Sequence, residues 1–129
     1  MRLCLCSLAL AGLLLPPVGA QEETLRYSVN WPSGLSLGEA VMEARPGESG
    51  RREFEFRLDA SIPGVNITDF YRSVTTADFC TQEFHKSLTH GKRQGEETTT
   101  VAPERGVARR VTARGGGASE IPVEACVKD

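Results

Sequence analysis

The sequence predicts a mainly β protein built as a single curved antiparallel sheet. Three observations carry that expectation. Several segments alternate at period two, with one apolar and one polar face. Clusters rich in Pro and Gly separate them, and one segment slips phase beside a glycine, as a bent strand requires. The 129-residue chain shows no repeats, heptads or long low-complexity tract.

The pattern begins after a leader. Arg2 gives a positive start, Leu3 to Leu15 form an apolar run, Pro16-Pro17 breaks it, and Val18-Gly19-Ala20 supplies small residues for a signal peptidase. The run is shorter than the roughly 20 residues of a membrane span. Residues 1–20 are therefore expected to be a signal peptide cleaved after Ala20. Residues 21–129 then form one β-rich domain, exported to the periplasm or the exterior and soluble once the leader is removed. Cys4 and Cys6 lie inside the apolar run, so a lipid anchor is not expected.

In the first mature segment, Leu25, Tyr27, Val29 and Trp31 share a face and Arg26, Ser28 and Asn30 the other. Pro32-Ser33-Gly34 makes a turn. In the next segment Leu35 and Leu37 are odd-numbered, whereas Ala40, Met42 and Ala44 are even, so a bulge is expected at Gly38-Glu39. Trp31 and Leu37 are expected to face the core. The stretch from Pro46 to Gly50 turns the chain into the strictest strand, where Phe54, Phe56, Leu58, Ala60 and Ile62 oppose Glu53, Glu55, Arg57, Asp59 and Ser61. Short connections predict that this strand neighbours the first, the two apolar faces being buried together.

Beyond Pro63-Gly64, residues 65–76 read equally as strand or helical turn. Cys80, Phe84 and Leu88 fit either period, but His90-Gly91-Lys92 followed by Thr98-Thr99-Thr100-Val101 favours a hairpin with a polar, edge-like second strand. Residues 107–113 form a candidate strand, and residues 114–117 (Arg-Gly-Gly-Gly) a flexible link. After Ile121-Pro122-Val123, the residues from Glu124 to Asp129 read as the first turns of a helix.

Without Arg2 the exported chain holds 14 basic and 17 acidic residues, a net charge of −3. Mild acidity with interspersed charges argues against nucleic acid, which needs a clustered basic face. Cys80 and Cys126 are the two cysteines left after cleavage, and in an oxidising compartment such a pair is most simply a disulfide.

Catalytic patterns are sparse. His85 and His90 are five apart with no zinc template, and on a strand they point to opposite faces. Asp59, Asp69 and Asp78 are the acids best placed to line a concave face, where a hydrolase would need them to converge. There is no nucleophile elbow, phosphate loop or dinucleotide fingerprint, so no cofactor or metal is expected. Asn66-Ile67-Thr68 matches the N-glycosylation sequon.

Taken in order, "LRYSVNWPSGLSLGEAVMEAR", "FEFRLDAS", "DFYRS", "FHKSLTHGKR" and "CVKD" resemble the successive elements of a family of bacterial exported proteins, the domain-of-unknown-function family numbered 3108. The resemblance spans about residues 23 to 129. It implies a curved antiparallel sheet similar to the half-barrel of periplasmic lipoprotein carriers, a helix beginning at Cys126, and further strands beyond it, so that this chain is truncated. It assigns no catalytic residues. Two function classes follow. The first is a non-enzymatic envelope module sheltering an apolar ligand, such as a lipid, or a partner segment. The second is a hydrolase using acids in the concavity.

Overall fold

A computed structural model describes residues 21–128. The expected leader, residues 1–20, lies outside them. The chain runs as an uninterrupted meander of eight antiparallel strands in one open sheet. These are β1 (Glu23–Asn30), β2 (Ser36–Pro46), β3 (Arg52–Ile62), β4 (Val65–Thr75), β5 (Thr81–His90), β6 (Arg93–Ala102), β7 (Val107–Thr112) and β8 (Gly117–Pro122). Each strand pairs with its neighbour in sequence, so every connection is a short hairpin.

Backbone hydrogen bonds close the first turn. Trp31 N–H donates to the Leu35 carbonyl at 2.8 Å and Gly34 N–H to the Trp31 carbonyl at 2.8 Å, closing the Pro32-Ser33-Gly34 turn. The register slips as expected, but at Leu37 rather than at Gly38-Glu39: Val29 pairs with Gly38 and Asn30 with Ser36, leaving Leu37 without a partner on β1. The neighbouring Gly38 is held to glycine by space, because a Cβ there would lie 1.9 Å from the Asp59 carbonyl oxygen on β3. Residues 65–75, which read either way, extend as a strand because β3 offers an unbroken ladder from Arg52↔Thr75 to Ile62↔Val65.

Several expectations change. β2 lies between β1 and β3, so those two strands are not neighbours. The face of β1 is open rather than buried: Trp31 is 57% exposed, Tyr27 51% and Leu25 43%. A lone sheet has no second layer to cover it, and among the described residues no side chain is completely buried. The polar strand β6 is interior, flanked by β5 and β7. Of the expected link at residues 114–117, residues 114–116 lie in the β7–β8 turn and Gly117 opens β8, which pairs with β7. The C-terminal segment is not a helix. Residues 123–128 form an irregular segment, bent at 125–126, that runs from β8 back across the end of the sheet, with Val123 N–H bonded to the Gly106 carbonyl at 3.0 Å and Thr81 N–H to the Val127 carbonyl at 2.8 Å. Cys126 is thereby brought to Cys80, and the expected disulfide closes there, with Cα atoms 4.9 Å apart.

Candidate functional site

Residues directly opposite in antiparallel strands share a face, so the register sorts side chains into rows across the sheet. One row reads Ala44–Phe54–Ser73–Phe84–Thr99–Arg110 from β2 to β7. The next reads Leu25–Met42–Phe56–Tyr71–Lys86–Glu97 from β1 to β6. On this face β1 to β4 are mainly apolar, and β6 and β7 are polar. The strict alternation of residues 53–62 sets the division, because it places both Phe54 and Phe56 on one side.

A cavity of about 300 Å³ opens on the apolar part. Leu25, Met42, Ala44, Phe54, Phe56, Tyr71 and Phe84 line it, with Ser73 in its floor. Its rings are in mutual contact: Phe56 and Tyr71 centroids lie 5.9 Å apart, and Tyr71 and Phe84 6.2 Å, tilted rather than stacked as aromatic quadrupoles prefer. Phe79, in the β4–β5 turn, places its ring 6.1 Å from Phe54, and the Arg52 guanidinium lies 4.9 Å from the Phe79 centroid.

The opposite face is an ionic ladder. Arg45 Nη2 lies 3.1 Å from Glu53 Oε2 and 2.5 Å from Glu55 Oε1, while Arg72 Nη2 lies 3.2 Å from the same Glu53 oxygen. The Arg72 hydrogen bond, joined by that from Arg45, holds the Glu53 carboxyl below its ordinary range against partial desolvation. Donating to Glu53 in turn raises the Arg45 guanidinium above its ordinary value. A second, polar cleft of about 580 Å³ lies beside this ladder, lined by Glu48, Arg51, Glu53, Arg72, Gln82 and Glu83 among others. Its Arg72 is already engaged by three carboxylates, including Glu83 at 3.9 Å.

The candidate acids do not converge. Asp59 is on the ionic face and accepts a hydrogen bond from Thr68 Oγ1 at 3.1 Å. Asp69 is on the apolar face, 2.7 Å from His90 Nε2. Asp78 sits in the β4–β5 turn. The two histidines of β5 likewise separate: His85 Nδ1 lies 3.1 Å from Thr98 Oγ1 on the ionic face, and His90 is on the other. Among the described residues no three His, Cys, Asp or Glu side chains gather as a metal site would need, and no helix is long and apolar enough to cross a membrane. Asn66, of the sequon, is exposed at the start of β4 and accepts a hydrogen bond from Ser61 Oγ at 2.8 Å.

The sequence did not single out Tyr71, Ser73 or Phe84 as site residues. Only the pairing of β4 with β3 and β5 puts them beside Phe54 and Phe56, and that pairing was unreadable while residues 65–76 fitted two periods. Comparison with known proteins yields no matching family model, no curated protein and no solved structure above the level of chance.

Proposed function

We propose that this is an exported, non-enzymatic protein of the cell envelope whose sheet shelters an apolar ligand such as the chain of a lipid. The observation that carries the reading is the 300 Å³ cavity lined by Leu25, Met42, Phe54, Phe56, Tyr71 and Phe84. Concave sites with predominantly apolar and aromatic walls and a few polar groups are the usual form of small-molecule sites. Among the described residues no second layer lies over the aromatic rings, so an apolar chain laid on them removes hydrocarbon surface from water at about 25 cal/mol per Å².

Export rests on the leader pattern of residues 1–20 and is supported by the Cys80–Cys126 disulfide, a bond that persists in oxidising compartments. The order of motifs resembling the exported family numbered 3108 points the same way. The hydrolase reading is weaker, because Asp59, Asp69 and Asp78 lie on opposite faces and in a turn.

The test uses a fluorescent fatty acyl probe and the two faces of one strand. Met42 lines the cavity and Val41 points to the ionic face. Met42→Lys should abolish probe binding and Val41→Lys should leave it near wild type. Absent binding, or indifference to both substitutions, overturns the reading.

A further inference from the structure

Ser73 introduces a buried polar atom into a cavity whose other lining residues are mainly apolar or aromatic, with Glu23, Glu43 and Glu55 also present. The residue is only 8% exposed, and its Oγ has no hydrogen-bond partner. It stands in the row between Phe54 on β3 and Phe84 on β5. A buried hydroxyl with no partner costs stability unless something supplies one. No hydrogen bond fixes its rotamer, and the residue lines the cavity, so a partner supplied from there can be met by rotation about χ1.

The same row leads to a cation. From Ser73 it passes through Phe84 and Thr99 to Arg110 on β7, three strand spacings or roughly 14 Å away. None of the ion pairs among the described residues includes Arg110. The nearby Glu97 carboxylate is taken up by Lys86 Nζ at 2.6 Å and accepts from Thr112 Oγ1 at 3.4 Å. One carboxylate thus faces two cations, leaving this corner of the apolar face positive. The β1 end of the row carries Glu23 instead. An amphiphile lying along the row finds hydrocarbon at β1 to β4, a hydrogen-bond donor at Ser73, and positive charge at β7.

Building on the apolar-ligand reading, we propose that the ligand is a single-chain anionic phospholipid. Its acyl chain lies on Phe54, Phe56 and Tyr71, its ester carbonyl accepts from Ser73 Oγ–H, and its phosphate meets the Arg110 guanidinium above Thr99. An extended arginine covers about half of the distance from β7 to Ser73, and a glycerol backbone between ester and phosphate covers the remainder. A free fatty acid cannot satisfy both groups, because its carbonyl and its charge are the same carboxylate. The cavity volume is at the small end for ligand sites, which suits one chain rather than two.

The experiment measures, by calorimetry below micellar concentrations, palmitoyl lysophosphatidylglycerol, palmitoyl lysophosphatidylcholine and palmitate. Wild type should prefer the phosphatidylglycerol form over the choline form by about tenfold, because both phosphates accept from Arg110 but only the choline head brings a second cation against it. Arg110→Gln should remove that preference and Arg110→Lys should retain part of it. Ser73→Ala should weaken both lysophospholipids alike without changing palmitate, and Arg109→Gln, on the ionic face, should change nothing. Equal affinity for the two head groups in wild type, or a preference that survives Arg110→Gln, overturns this inference. If the lipids still bind and Met42→Lys abolishes that binding, the apolar-ligand reading stands alone. No binding of any of the three overturns both.

Discussion

At Gly38 a single hydrogen atom decides whether β2 can approach β3. The position opposes Val29 on one side and Ala60 on the other, at the place where Leu37 leaves the ladder. A methyl group there would meet the Asp59 carbonyl oxygen at 1.9 Å and Ala60 Cα at 2.6 Å, both backbone atoms that cannot swing away. Gly38→Ala should therefore cost about 3 kcal/mol, the upper end for overpacking. Urea unfolding checks this, with Gly34→Ala as a comparison at a position where nothing lies within 4 Å of the added carbon but φ is +87°. Equal losses would show that backbone conformation, not space, governs both sites. The sequence exposed this residue because the odd-to-even slip between Leu37 and Ala40 falls beside the glycine. Nothing comparable marked Ser73, a small polar residue whose burial depends wholly on the strands either side.

At the scale of elements, the C-terminal strap is tied where the fold most needs it. The β4–β5 turn holds Phe79 in the left-handed region at φ 63°, which is unusual for an aromatic residue and costs of order 1–3 kcal/mol. Thr76 secures the turn, its N–H donating to the Cys80 carbonyl at 2.9 Å and its Oγ1 accepting from Cys80 N–H at 3.1 Å. Cys80 itself carries the disulfide to Cys126, 46 positions along the chain. A crosslink of that span contributes about 4 kcal/mol in the chain-entropy model. Cys126→Ser should lower the unfolding free energy by roughly that amount. In hydrogen exchange the Thr81 and Val123 amides should lose protection before those of β3. Unchanged protection of Thr81 would mean the strap is held without the bond. The disulfide was legible from cysteine arithmetic. The strap was not, because Glu124 to Lys128 has helix-compatible residues, and its ties to Cys80, the Thr81 amide and the Gly106 carbonyl are all long-range. β8 escaped notice for a related reason: Gly117, Ala118 and Ser119 carry no alternation, and β7 supplies the ladder that makes them a strand.

Over the whole molecule, stability depends on a sheet whose two faces do opposite things. The apolar face is partly open, and the ionic face carries ion pairs from β1 to β5. Arg26 meets Glu39 at 2.7 Å near the edge, where both side chains are more than half exposed and the pair contributes little. The central cluster differs: Glu53 and Glu55 are 20% and 18% exposed and share Arg45 and Arg72. Hydrogen bonding from Arg72, then from Arg45, depresses the Glu53 carboxyl below its reference value of 4.5 in the folded state. The Lys86 hydrogen bond does the same for Glu97. A carboxyl with a lowered folded pKa binds fewer protons folded than unfolded, so its contribution is fully present above the unfolded value and is lost as pH falls through the folded one. The protein should therefore hold a constant urea midpoint from pH 7 to about 5 and lose stability below about 4.5. Glu53→Gln should lower the plateau, because Arg45 and Arg72 lose a shared partner, and should flatten the acid limb. Glu39→Gln, at the exposed edge, should leave both nearly unchanged. An acid limb as steep in Glu53→Gln as in wild type would place the responsible protons elsewhere. Raising the salt concentration separates the two kinds of pair further, since screening weakens the exposed edge pair more than the half-buried cluster.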